Sequence, residues 1–454
     1  MWDSKQCDSG LHGYGRAIVL VGLLVAGIFP GCEKTTHDSI DKWMRTEKGP
    51  KKLVEALEDS DLGIELRAHA GQNLIRMDDN ESVLGHLEKL SADKRGPLVE
   101  ALARRLWEDA RIEGEFTMPS GPQVTAKDAL FDIRRFAEGE PRRVIDGFLI
   151  DWLADGYYSA RARAGRHSGE AIVGAIGESA APPIIQRAKA MLAAGADNSG
   201  AQVKLEDPLL RGLAVTGTPD GVGLLLDMLT LEHNDKTLSK RALTALFVGY
   251  VKNDGTFPVA DAKALLPHLE RLVELAKNPV GGSSDINDAI QLIAATGAPA
   301  CIQPLVNLVA YEHEVDKVTW VAANSALQCG KANALVPVAD AFPRNRNYAR
   351  RELRGAVVEP MLVLDDKPVV ARQARTLLES KSWVARAIGV ELLSSLKQPD
   401  SAVLLRKLAS DKTVLRGWWG DQTDLPKRDR KKEPRLGQLA SEVADQLDPG
   451  SKSG

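Results

Sequence analysis

Five stretches of this chain run through one succession. A helix-forming run ends in small apolar residues, a Gly or a turn follows, then a small residue or Pro, then an aliphatic helix-forming run. The stretches begin at Ala175, Ala214, Ile293, Ser325 and Leu392. Aligned at Gly177, Gly217, Gly297, Gly330 and Leu396, they are spaced by 40, 80, 33 and 66 residues. Single or doubled periods of that size belong to two-helix repeat arrays. Weaker turns fill the double gaps, at 249–254 and at Leu364 to Pro368. In such an array each helix pair buries its apolar stripe against its neighbours, and there is no single central core. The rule that divides 454 residues into about three globular domains therefore does not apply.

The local chemistry agrees with this reading. A Gly after a helix takes a positive φ without a Cβ penalty. Thr218, Pro219 and Asp220 supply an N-cap hydroxyl, a Pro at the first helical position and a carboxylate in the first turn. Leu265, Leu266, Leu269, Leu272, Val273, Leu275 and Ala276 make an amphipathic stripe, and Val384 to Leu393 makes another. Ala and Leu are roughly a quarter of the chain and aromatic residues only 5%, which suits closely packed helices better than sheets. The expected fold class is all-α.

The segment Val384 to Leu393, with Lys240 to Leu243 and Leu66 to Ala68, resembles the second-helix signature of HEAT repeats. Leu53 to Asp59, followed by Arg67 to Ala70 and Leu74, resembles it too. The likeness recurs about eight times, over 48–113 and 165–447. It implies an α-solenoid with a long surface for protein partners. The span 114–164 reads as a divergent helical segment, with a Gly/Pro-rich loop over Glu113 to Thr125 and two helices from Ala126 to Leu153. A loop over 411–433 interrupts the last repeat, and 448–454 reads as a disordered tail.

The N-terminus reads as an address. Lys5 and Arg16 are the only cations of the first 16 residues. The apolar run Ala17 to Phe29 is too short for a span, which needs about 20 residues, and fits a signal-peptide core. Gly31-Cys32 directly after it resembles the lipobox of bacterial lipoproteins, although Phe29 and Pro30 depart from its usual residues. The resemblance implies a signal peptide over 1–31, lipidation of Cys32 and a lipidated tether over 32–47. Glu33, in place of Asp, implies an outer-membrane, periplasm-facing location. Asp3 and Cys7 are foreign to a signal n-region, so translation is expected to start downstream of Met1.

Cys301 would open one helix and Cys329 close the antiparallel one, which puts them side by side. In an oxidising compartment they are a candidate disulfide, and two buried thiols are the alternative.

Candidates for chemistry are few. No zincin spacing, nucleophile elbow, P-loop or dinucleotide fingerprint occurs in a fitting context, so neither metal nor cofactor is expected. A net charge of −3 offers no field for nucleic acid. Arg344, Arg346, Arg350, Arg351 and Arg354, with Arg386 in the next repeat, read either as a positive strip for an anionic partner or as a solvated charged face. Trp418 and Trp419 sit in the loop interrupting the last repeat. Adjacent rings point in different directions, so the loop is either a folded-back cap or a partner contact. The functional expectation is a non-enzymatic, membrane-anchored scaffold for envelope proteins. The alternative is an enzyme or accessory protein that resembles HEAT-like bilin lyases and binds a small molecule.

Overall fold

A computed structural model describes residues 34–113, 118–154, 158–196, 205–230, 236–252, 259–279, 283–312 and 317–449. The signal segment and Cys32 lie outside them. The described residues are all-helical, and their only β-type pairing is a single bridge between Val414 and Arg435. No helix among them is long and apolar enough to cross a membrane.

The chain opens with α1 (His37–Trp43), α2 (Gly49–Glu58), α3 (Ile64–Arg76), α4 (Asn80–Lys89) and α5 (Ala92–Ala110). Within the expected tether over 32–47, residues His37–Trp43 form a docked helix. Thr36 and Ser39 form a reciprocal capping box, and α1 packs its buried Ile40 toward α3. A capped turn with one buried aliphatic anchor outcompetes an extended linker.

Next come α6 (Gly121–Ile133), α7 (Gly139–Ala154), α8 (Tyr158–Arg163) and α9 (Gly169–Ile176). The loop expected to reach Thr125 stops at Ser120, because Ser120 and Gln123 form another capping box and Pro122 sits in the first turn.

The remaining helices are α10 (Ala181–Ala196), α11 (Asp207–Val215), α12 (Pro219–Thr230), α13 (Lys236–Tyr250), α14 (Leu269–Lys277), α15 (Ser283–Ala295), α16 (Ile302–Ala310) and α17 (Lys317–Gly330). They continue through α18 (Leu335–Ala341), α19 (Arg350–Leu353), α20 (Glu359–Leu362), α21 (Lys367–Leu377), α22 (Trp383–Ser395), α23 (Ala402–Lys407) and α24 (Leu436–Leu447). A π-helical turn, Arg354–Val358, joins α19 to α20. The stripe expected as one helix over Leu265 to Ala276 is split, because Pro267 confines Ala262–His268 to a 3-10 turn.

Within a hairpin α12 packs on α13, α14 on α15, α16 on α17, α21 on α22 and α23 on α24. Between hairpins the second helices touch in order, α11 to α13 to α15 to α17 to the π turn to α22 to α24. Helices inside that series are covered on several sides. From Trp383 to Leu393 only Arg386 escapes burial, so α22 carries no one-sided apolar stripe.

Ion pairs also cross from one hairpin to the next. Arg76 pairs with Asp109 at a separation of 33 residues, Arg211 with Glu170 at 41, Arg241 with Asp207 at 34 and Arg271 with Asp227 at 44. Separations of 33–44 residues tie different helices rather than turns of one helix. Asp448 joins the set through Arg406, 42 residues away, so the tail expected from 448 is anchored at its first residue.

Candidate interaction surface

The candidate arginines do not form a uniform strip. Glu391 of α22 is only 3% exposed, and it pairs with Arg350 Nε at 2.8 Å and Arg354 Nη1 at 2.6 Å. Arg386 pairs with Asp411 at 3.1 Å and donates to the Ser380 carbonyl at 2.7 Å. These three guanidiniums are committed within the protein, because a buried carboxylate needs compensating charge. Arg346 is half-buried, while Arg344 and Arg351 are exposed. For Arg350 and Arg354 the signal was Glu391, 41 and 37 residues further on; Asp411 lies only 25 residues from Arg386.

The two tryptophans of the loop differ as adjacent rings should. Trp418 is 3% exposed, with the Arg350 guanidinium 5.9 Å from its ring centre. Trp419 is 39% exposed, donates from its indole to the Lys432 carbonyl and lies under Lys431. The loop folds back on the segment before α19. Tyr348 N–H donates to the Arg416 carbonyl at 2.9 Å, and Arg350 N–H donates to that of Trp418 at 3.0 Å. Gly417, at φ +73°, makes this approach feasible, since a Cβ there would stand 2.7 Å from that of Asn347. The loop thus packs Trp418 inward against the segment before α19 and leaves Trp419 at the surface.

Beneath the docked loop lies an aromatic cluster that sequence reasoning missed. Trp320, Phe342, Tyr348 and Trp383 meet at 5.4–5.9 Å between ring centres. Trp383 donates to the Arg344 carbonyl and Tyr348 to that of Pro343. These rings come from four separate segments, so no local pattern joins them.

Cys301 and Cys329 are joined as a disulfide, with Cα atoms 6.7 Å apart. Cys301 is fully buried at the start of α16, and Cys329 lies in the last turn of α17.

Two concavities stand out. One of about 610 Å³ is walled by Trp107, Trp152, Arg111, Arg161 and Arg187. The other, about 860 Å³, crosses α13, α15, α17 and the π turn, with Asn287, Gln291, Asn324, Gln328 and Trp320 on its walls. Among the described residues no three His, Cys, Asp or Glu side chains are grouped to hold a metal ion.

No family model matches the chain, and no curated protein matches it. Among solved structures, the crystal structure of an engineered protein from a structural genomics consortium is similar at 16% identity. The match covers 88% of this chain and 88% of that one, with a TM-score of 0.28. So faint a likeness carries no argument.

Proposed function

We propose that the protein is a lipid-anchored HEAT-repeat α-solenoid that serves as a non-enzymatic scaffold for a protein partner at the bacterial cell envelope. The observation that carries this reading is the unbroken series of second helices from α11 to α24, tied by ion pairs one repeat apart. A stack of that kind offers a long surface and no enclosed reaction chamber. Gly31-Cys32 supports the anchor. Diacylation of the thiol and acylation of the new amino terminus supply the two or more chains that stable anchoring requires.

Crosslinking and mass spectrometry in the native envelope test the scaffold. A single stoichiometric protein partner is the expected result, and repeated failure to find one overturns the reading. Processing that is blocked by globomycin and lost in Cys32→Ala tests the anchor separately. The small-molecule alternative is favoured by the concavity between Trp107 and Trp152. A compound that co-purifies with the protein and is lost in Trp107→Ala would displace the scaffold reading.

A further inference from the structure

Among the described residues, the groove across α13, α15, α17 and the π turn is lined by no Lys, Arg, Asp or Glu. Its polar walls are mainly carboxamides, Asn287 and Gln291 on α15 and Asn324 and Gln328 on α17. None of the four makes a side-chain hydrogen bond among the described residues. Some carboxamides elsewhere are used internally: Gln72 donates to Asp109, Asn73 to Asp41, and Gln422 to the Lys431 carbonyl. The groove is also where Tyr250 keeps a hydroxyl that is buried and has no hydrogen-bond partner.

Two carboxamides four residues apart on a helix lie about 6 Å apart along its axis. An extended chain repeats its backbone groups on one edge every second residue, about 6.6 Å. Each carboxamide offers both a donor and an acceptor, so one side chain can meet both the N–H and the C=O of a single bound residue. Two such rows on successive helices, beside the Trp320 ring, fit a main chain rather than a charged group. An uncharged wall gives no purchase to phosphate, nucleic acid or an acidic helix.

We propose that this groove binds an extended, uncharged segment of a partner polypeptide through its main chain, with Asn287, Gln291, Asn324 and Gln328 pairing with its backbone. This deepens the scaffold reading and rests on it.

The test has two arms. In the first, the full mature chain is titrated with a fluorescent peptide of about a dozen Ser, Thr and Val residues with blocked ends, long enough to span both rows. A twin peptide is N-methylated at alternate residues. Binding is expected to change less than about twofold between low and high salt. It is expected to weaken by on the order of tenfold for the twin, and for Asn287→Ala/Asn324→Ala with an unchanged melting temperature. Absence of saturable binding, loss of binding in high salt, or an unaffected double variant overturns the proposal.

In the second arm a photo-crosslinking residue replaces Gln328 or Trp419 in cells. A Gln328 adduct that maps to an uncharged, extended partner segment supports the groove. One that maps to a charged or helical segment overturns it. Capture at Trp419 but never at Gln328 overturns the groove and leaves the scaffold standing, and capture at neither overturns both.

Discussion

Glu391 is fastened to Arg354 across 37 residues, a separation of one repeat, by a contact of 2.6 Å to a carboxylate that is 3% exposed. Arg350 holds the same carboxylate from the turn before. The two guanidiniums are 31% and 44% exposed and can find water, while the carboxylate cannot. Removing one arginine therefore leaves Glu391 compensated and is expected to cost about 1 kcal/mol. Removing both strands a buried charge, which costs about 3–5 kcal/mol. Arg350→Ala, Arg354→Ala and the double variant, compared by urea denaturation, should show a loss well beyond additive. The exposed Arg351→Ala is the control and should leave the midpoint in place. Additive losses would return these arginines to a merely solvated face.

Trp418 and Trp419 should separate cleanly on substitution. Trp418→Ala removes a buried ring beside Arg350 and is expected to cost about 3–5 kcal/mol. Gly417→Ala, at φ +73° and against Asn347, should undock the loop by strain alone and cost about 1–3 kcal/mol. Trp419→Ala loses mainly an exposed ring and should stay under about 1 kcal/mol. Thermal melts read all three, and proteolysis within 411–433 should accelerate only in the first two.

Stability should decline between pH 7 and pH 5. Burial, with Arg105 and the neighbouring His37 adding to it and Asp41 opposing, holds His69 below the ordinary imidazole range. Burial and then Arg67 do the same for His86. His37 and His69 meet through their Nδ1 atoms at 2.8 Å, while His69 Nε2 lies 2.8 Å from Asp41. The consistent assignment has His37 donating to His69 and His69 to Asp41, so a proton on His69 Nδ1 would oppose two N–H groups. Well above about pH 6.5 both states are neutral and the histidines contribute little pH slope. As pH falls through that value, the unfolded chain takes up protons that the folded chain resists, so stability drops until the folded groups titrate as well. Asp41 does not enter this window. Burial alone would raise it, yet its bonds to Asn73 and His69 hold it below the carboxylate range, where its contribution is lost only on stronger acidification. The His69→Gln/His86→Gln variant should show a flatter melting profile from pH 7 to 5, and an unchanged slope would refute this account.

Breaking the bond between Cys301 and Cys329 should cost about 3.6 kcal/mol, given a sequence separation of 28 residues. The chain enclosed is most of one hairpin, α16 and α17, so the loss falls in the middle of the stack. Cys301→Ala/Cys329→Ala is expected to lower the melting temperature, and adding reductant to the native protein should reproduce that shift. If the protein isolated from its native cells returns two free thiols in non-reducing peptide mapping, the bond does not form there.

The all-helical fold was legible because helix-ending turns recur in sequence, yet the positive φ lies one residue later than expected in two of them. At Gly217 and Gly297 the glycine takes the positive φ, whereas at Gly330 and Leu396 the next residue does, Lys331 and Lys397, both at 51°. A lysine in that conformation advertises nothing, since only glycine visits it routinely. The arginines were visible as charge but not as ties, because pairing depends on which residue of the next hairpin lies opposite. The carboxamide groove was hidden for the same reason. Periodicity tells which face of a helix is apolar, and only the register between hairpins brings Asn287 and Asn324 to one surface. The helix α1 was missed because seven residues with one buried anchor leave too short a period to read.

Lys127 makes the sharpest stability prediction outside the repeat interfaces. It is completely buried, and its ammonium donates to Asp128 Oδ1 at 2.6 Å and to the carbonyls of Ala164 and His167 at 2.7 Å each. All three donors are satisfied, while Asp128 in turn accepts the N–H groups of Arg166 and His167. Burial pulls the lysine below its ordinary range and Asp128 pulls the other way. Such a group organises the turn over 164–168 and has no spare donor for chemistry. Lys127→Met fits the volume but strands Asp128 and two carbonyls, so it should cost about 3–5 kcal/mol. Adding Asp128→Asn removes the stranded charge and should recover part of that loss, though not the carbonyl bonds. Urea midpoints of the single and double variants decide it. A silent Lys127→Met would mean that the turn is held by Asp128 alone.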